Sequence, residues 1–194
     1  MTTVHVFQMG RRVTRATCML ALFVCAVLAP SYAMAKLARS GSPSVKFTAL
    51  GSMGLKMVGT SSELEVTEDE QNISLVVGLS QLDTGISLRD RHMREKYLQV
   101  QQFPTATLVV PRSALQLPAE GATSKGTAKA TLKLHGHEHP VSVQYQVQRH
   151  GKNLEVEGSV HLQMTDFDVI VPTYLGITVK PDVDVVAKFV ATDL

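Results

Sequence analysis

From Val45 onward, apolar and polar residues alternate with a period of two, which is the pattern of strands buried on one face. Val45, Phe47 and Ala49 alternate with Lys46 and Thr48, and Leu64 and Val66 with Glu63, Glu65 and Thr67. The charged turn Glu68-Asp69-Glu70-Gln71-Asn72 then leads into Ile73, Leu75, Val77 and Leu79, so 64–79 reads as a hairpin. The clearest strand sets Val141, Val143, Tyr145 and Val147 against Ser142, Gln144, Gln146 and Gln148. His150-Gly151-Lys152-Asn153 turns it back into Leu154, Val156, Val160 and Leu162, whose opposite face is Glu155, Glu157, Ser159, His161 and Gln163. Further strands are expected over 105–111, 127–134 and 182–192, the last with Val183, Val185, Ala187 and Phe189 on one side. About eight strands at hairpin-like spacing predict an all-β antiparallel domain, either a barrel or a sandwich.

The segment from Leu82 to Pro104 breaks the alternation. Asp83-Thr84-Gly85 is a turn triplet, in which Gly supplies positive φ and Asp can bond its own backbone. Leu88 to Val100 then places Leu88, Arg91, His92, Glu95 and Gln99 along one helical stripe and Met93, Tyr97 and Val100 along another. Pro104 lacks a ladder donor and biases Phe103 toward an extended backbone, so the next strand should begin near Thr105. The expectation is a short helical lid inserted in a β domain.

The first residues carry a different signal. Arg11, Arg12 and Arg15 precede an uncharged apolar run from Ala16 to Leu28, and Ala33-Met34-Ala35 is an A-x-A cleavage pattern. Residues 1–35 therefore read as a cleavable secretory signal peptide, by the general route rather than the twin-arginine one, with the mature chain starting at Lys36. The run falls short of the ~20 apolar residues that span a bilayer, so no stable membrane span is expected. Small polar residues with Gly41 and Pro43 make 36–44 a flexible arm, leaving 45–194 as one domain.

Removing the signal changes the charge. It holds three of the 19 Lys+Arg and none of the 17 Asp+Glu, so the formal +2 becomes 16 − 17 = −1. No basic surface recommends a nucleic-acid partner. Cys18 and Cys25, the two cysteines, also leave with it, which excludes a disulfide, a thiolate nucleophile or a Cys metal site in the mature chain.

Catalytic signatures are lacking. There is no G-x-S-x-G elbow, H-E-x-x-H or phosphate-binding Gly-rich loop, and no enzymatic activity is expected. Asp166 and Asp168 could act as paired carboxylates, but around Phe167 they read more simply as two exposed charges beside one buried ring. His135, His137 and His139 would share a face if extended, and with His92 could offer imidazoles to Zn or Cu. Gly136 and Pro140 instead mark a turn from His135 to Pro140, and histidines in exposed turns are more often solvated than coordinating.

Several of these segments together resemble the YceI-like, or polyisoprenoid-binding, family. The residues are Leu82-Asp83-Thr84-Gly85, Arg89-Asp90-Arg91-His92-Met93, Tyr97-Leu98 and Phe103-Pro104, followed by Leu132-Lys133-Leu134-His135-Gly136, Pro140-Val141 and Asp166-Phe167. The resemblance covers most of 45–194 and implies an extended, lipocalin-like β-barrel in the bacterial periplasm, with an isoprenoid chain in its lumen. A true lipocalin is disfavoured, because the Gly-x-Trp motif is impossible in a Trp-free chain. The His-rich turn and the long loop 171–177 depart from the family pattern and would reshape the mouth.

Within the implied lumen, the alternating faces nominate Phe47, Val143, Tyr145, Val156, Val185 and Phe189 as ligand contacts. Thr84, Arg89, His92 and Met93 of the lid would stand at the mouth, with donors for a polar head and an apolar hinge. The plainer reading of Arg89 and Asp90 is a surface ion pair or helix cap. No cofactor is expected, although a bound isoprenoid lipid or quinone is compatible with the lumen. The alternative is a filled barrel acting through His-based metal binding or as a stress-related interaction module. The sequence sets no oligomeric state, and a dimer is compatible with it.

Overall fold

A computed structural model describes residues 37–174 and 176–193. The signal peptide read over 1–35 lies outside the described residues. Ten strands are formed among those described: β1 (Leu37–Gly51), β2 (Lys56–Ser61), β3 (Leu64–Glu68), β4 (Asn72–Gly78), β5 (Thr105–Pro111), β6 (Thr123–Leu134), β7 (His137–His150), β8 (Asn153–Gln163), β9 (Thr173–Tyr174) and β10 (Ile177–Asp193). Nine of them follow the path β2-β1-β10-β8-β7-β6-β5-β4-β3, while β9 pairs with β10 alone. Every pairing is antiparallel.

The two ends of this path, β2 and β3, are consecutive in the chain. β1 pairs with β2 over Val45–Leu50 and packs against β3 at its beginning, where the Leu37 N–H donates to Glu68 Oε2 at 2.8 Å. Arg112 holds the other oxygen of that carboxylate, with Nε 2.8 Å from Oε1. The sheet thereby curls into a nearly closed barrel, the expected fold class.

Alternation sets what faces inward. In β7, Val143, Tyr145 and Val147 are buried and Ser142 and Gln144 exposed; in β8, Leu154 and Leu162 are buried and Glu155, Glu157 and His161 exposed. Directly opposed outward residues pair by charge across the strands, as in Lys188 Nζ to Glu157 Oε2 at 2.9 Å.

Three boundaries differ from expectation. The supposed arm 36–44 is largely the first part of β1, because Leu37 to Ser40 pair with Asp193 to Val190 of β10. Gly41 and Pro43 signalled a loop, but they form a bulge, with a register shift between Ser40 and Ser44 and Gly41 at φ 69°. The final strand begins at Ile177, five residues early, and the long loop before it contains β9. The supposed turn 135–140 is only His135-Gly136, at φ 50° and 82°, a tight two-residue connection that needs positive φ at both positions. His137 and His139 belong to β7, paired with Leu134 and Leu132.

The register also distinguishes the barrel's two ends. At one, Leu37 meets Asp193, Asn72 meets Pro111 and His150 meets Asn153. At the other, Gly51 meets Val179, Gly78 meets Thr105 and Leu134 meets His137, so the β1–β2 tip, the lid and the β8–β10 connection gather there.

Candidate functional site

The barrel is not filled. A cavity of about 570 Å³ runs inside it, from Leu37, Leu154 and Ala191 at the first end to Leu55, Ile86 and Leu88 at the lid end. Leu154 is fully buried and Ala191 1% exposed, whereas Leu55, Ile86 and Leu88 line the cavity while 46%, 52% and 43% exposed. The lumen is therefore closed at the first end and opens at the lid. Its volume falls in the roughly 300–1,000 Å³ range of small-molecule sites.

The wall is almost wholly hydrocarbon. Polar side chains come from Thr84, Arg89, His92 and Ser159, with the hydroxyls of Tyr97 and Tyr145. Ser159 follows inward Gly158 and precedes inward Val160, so its side chain is on the outer face. The Tyr145 ring lies over Gly126 of β6, where a Cβ would stand 2.7 Å from its hydroxyl, and that hydroxyl accepts from the Gln116 N–H at 3.0 Å. Glycine at 126 thus lets an aromatic lie flat along the wall with its one polar atom satisfied.

All ten residues nominated from the sequence line this cavity: Phe47, Thr84, Arg89, His92, Met93, Val143, Tyr145, Val156, Val185 and Phe189. Alternation on consecutive strands brings the six barrel residues together. The sequence reasoning missed Gly158, Met57, Ile177 and the mouth residues Leu55, Ile86 and Leu88. Gly158 could have been found, since it holds an inward position between Val156 and Val160.

The lid is held by a local network. α1 (Ser87–His92) runs directly into a π-helical turn, Met93–Tyr97, in which the Leu98 N–H reaches Met93 O at 2.8 Å. Asp90 is buried, and its Oδ1 accepts from both the N–H (2.9 Å) and the hydroxyl of Thr84. Burial pushes the Asp90 carboxyl up, but the bonds from Thr84 with the nearby Arg94 charge outweigh it and hold the carboxyl below its ordinary value. Arg89 donates from Nε to Thr84 Oγ1 and from Nη2 to Thr84 O, both at 2.7 Å. Asp83 Oδ1 accepts from the Gly85 N–H at 2.7 Å, closing the predicted turn. Arg89 and Asp90 are therefore neither a surface ion pair nor a helix cap. They clamp the Asp83-Thr84-Gly85 turn, and Asp83 in turn bridges to Thr60 of β2.

His135 and His139 are used in packing. His135 Nδ1 lies 3.1 Å from Phe167 O and its ring meets Phe103 edge-on at 4.6 Å, while His139 meets Phe167 edge-on at 5.2 Å. Phe167 is 1% exposed between the exposed Asp166 and Asp168. Among the described residues, no group of three or more His, Cys, Asp or Glu is placed to hold a metal ion. No described helix is long and apolar enough to cross a membrane.

Fold and site together define a β-barrel with an apolar interior cavity and a helical lid. The chain belongs to the YceI-like domain family, whose model matches residues 39–191. Its structure is similar to a polyisoprenoid binding domain from Saccharophagus degradans implicated in plant cell wall breakdown, with 18% identity and a TM-score of 0.69 over 82% of this chain and 99% of that one. It is also similar to Burkholderia cenocepacia BcnA, with 19% identity and a TM-score of 0.59 over 76% of this chain and 96% of that one. At such identities the likeness establishes the fold. No curated protein matches the sequence.

Proposed function

We propose that this protein holds an elongated apolar lipid of the polyisoprenoid type in its lumen, as a non-catalytic carrier in the bacterial periplasm. The observation that carries the reading is the cavity: about 570 Å³, open at one end, with nearly every side chain along it apolar. An isoprenoid chain has no hydrogen-bonding group, so its binding comes from apolar area removed from water, at about 0.8 kcal/mol per buried CH₂. A strand wall suits it, because the ladders running from β2 round to β3 pair the backbone polar groups everywhere but at those two edge strands. The YceI-like family and the polyisoprenoid binding domain among the similar structures support the same reading. Periplasmic residence rests on the signal-peptide pattern of residues 1–35.

A head group at the mouth would meet Arg89, His92 and Thr84, the polar side chains at the lid end of the lumen. The test is gel filtration of delipidated protein with a radiolabelled long-chain prenyl alcohol. Stoichiometric co-elution is expected, and elution of all the label apart from the protein would end the reading.

A further inference from the structure

The large hydrophobic side chains exposed among the described residues are Leu50, Met53, Leu55, Ile86, Leu88 and Ile170. All six are at the lid end: Leu50 near the end of β1, Met53 and Leu55 on the β1–β2 connection, Ile86 and Leu88 on the lid and Ile170 on the β8–β10 connection. These connections are tied to one another. Ser52 Oγ of the β1–β2 tip accepts from the Thr178 N–H at the start of β10 at 3.3 Å. Thr60 of β2 and Asp83 of the lid exchange backbone bonds at 2.8 and 2.9 Å. The six residues therefore form a rim at the end where the lumen opens.

Met53 is the sharpest case. It is 94% exposed at φ 59°, a left-handed conformation in which glycine, asparagine or aspartate is the ordinary choice. Packing does not explain a methionine there. A strained, fully exposed apolar residue at the tip of a turn marks a surface that meets something.

We propose that this rim is a membrane-docking surface and that its occupant is a lipid bilayer. The inference rests on the carrier reading, which supplies the physical need. A lipid chain transferred through water would expose the same area that its binding removes, so exchange requires an unbroken apolar path from bilayer to lumen. Leu55, Ile86 and Leu88 supply that continuity, because they belong both to the rim and to the cavity wall. Exposed charges of both signs stand near the rim, Lys56 beside Leu55, Asp83 and Arg91 on the lid with Ile86 and Leu88, and Asp168 close to Ile170, so apolar continuity rather than charge selects the occupant.

Met53 and Ile170 belong to the rim but not to the cavity lining, which allows docking to be separated from holding. The experiment is co-sedimentation of the protein with phosphatidylcholine vesicles, with and without phosphatidylglycerol. It is paired with binding of a short soluble prenyl alcohol in the absence of vesicles. Wild type is expected to co-sediment with both kinds of vesicle. The Met53→Asp/Ile170→Asp variant should lose co-sedimentation about tenfold while binding the alcohol as wild type does.

Absence of wild-type co-sedimentation overturns the proposal, as does equal co-sedimentation of the Met53→Asp/Ile170→Asp variant. A solution dimer dissolved by the same two substitutions also overturns it, because the rim's partner would then be a second copy. Vesicle binding by a protein that takes up no prenyl alcohol would uphold the docking surface and remove the carrier reading instead.

Discussion

Filling the lumen should stabilise the protein and expel its ligand at once. Gly158 is the place to do it. Its φ is not in the positive region, it faces the cavity, and a Cβ added there would meet only Val143 Cγ1, at an ordinary 3.8 Å. Gly158→Leu therefore projects four carbons into empty space without moving the wall. Burying a leucine contributes about 1.5–3 kcal/mol. Relief of glycine's backbone entropy in a strand adds about 0.5–1 kcal/mol, and fixing the leucine rotamer costs about 0.5–1 kcal/mol. The two smaller terms cancel, leaving about 2 kcal/mol. In a chain of this size that raises the unfolding temperature of ligand-free protein by about 4–8 °C.

The same four carbons displace their equivalent of bound lipid, at about 0.8 kcal/mol each. Affinity should fall by about 3 kcal/mol, or roughly two decades in Kd. Differential scanning fluorimetry of delipidated protein reads the first quantity and prenyl-alcohol titration the second. Gly158→Ala is the control, with affinity near wild type. Destabilised Gly158→Leu protein would show that the lumen is already packed, and a stabilised variant of unchanged affinity would place the ligand elsewhere.

Asp90→Ala removes the acceptor of two Thr84 bonds, and hydrogen bonds to charged groups contribute about 1.5–3 kcal/mol. A drop of about 4–8 °C in unfolding temperature is expected, and an unchanged transition would mean the clamp carries no stability. Because the folded Asp90 carboxyl lies below its ordinary 3.8, its stabilisation is intact above that value and fades as pH falls through the depressed one. Lid amides followed by hydrogen exchange should keep constant protection from pH 7 to 5 and lose it below about 4; a loss already at pH 6 would assign it to another group. His161 faces Asp184 Oδ1 at 2.8 Å and Asp182 Oδ1 at 3.3 Å. The Asp184 hydrogen bond is the main influence raising its pKa above 6.5, so any stability it adds is present below that value and lost as pH rises through the raised one. NMR titration should find the raised value in wild type and a return toward 6.5 in Asp184→Asn, and identical curves would discard the pairing.

The sequence was most legible where one rule acted alone. β7 and β8 alternate without interruption, so their inward residues, and with them Tyr145 and Val156, could be read directly from the period. Where two rules competed, the local one misled. Gly41 and Pro43 carry a loop signal, yet pairing of Leu37 to Ser40 with β10 outweighs it and the chain absorbs the conflict as a bulge. His135-Gly136 and Pro140 resembled one long turn, but the positive-φ pair completes the reversal alone, and Pro140 takes an exposed place in β7. Asp90 was the hardest to foresee. Its burial comes from Thr84, six residues away across a turn, and a charged residue in a charged stretch gives no sign of facing inward. Leu55 and Ile86 escaped notice because exposed apolar residues in loops follow no period, and Leu88 because the rest of its helical stripe is polar.

The most direct test of the central claim is native mass spectrometry of protein purified from a bacterial periplasm, followed by organic extraction of whatever it carries. The cavity predicts one apolar adduct per chain that extracts as a polyisoprenoid. A bare mass, with no uptake of added prenyl lipid or quinone, would contradict the account.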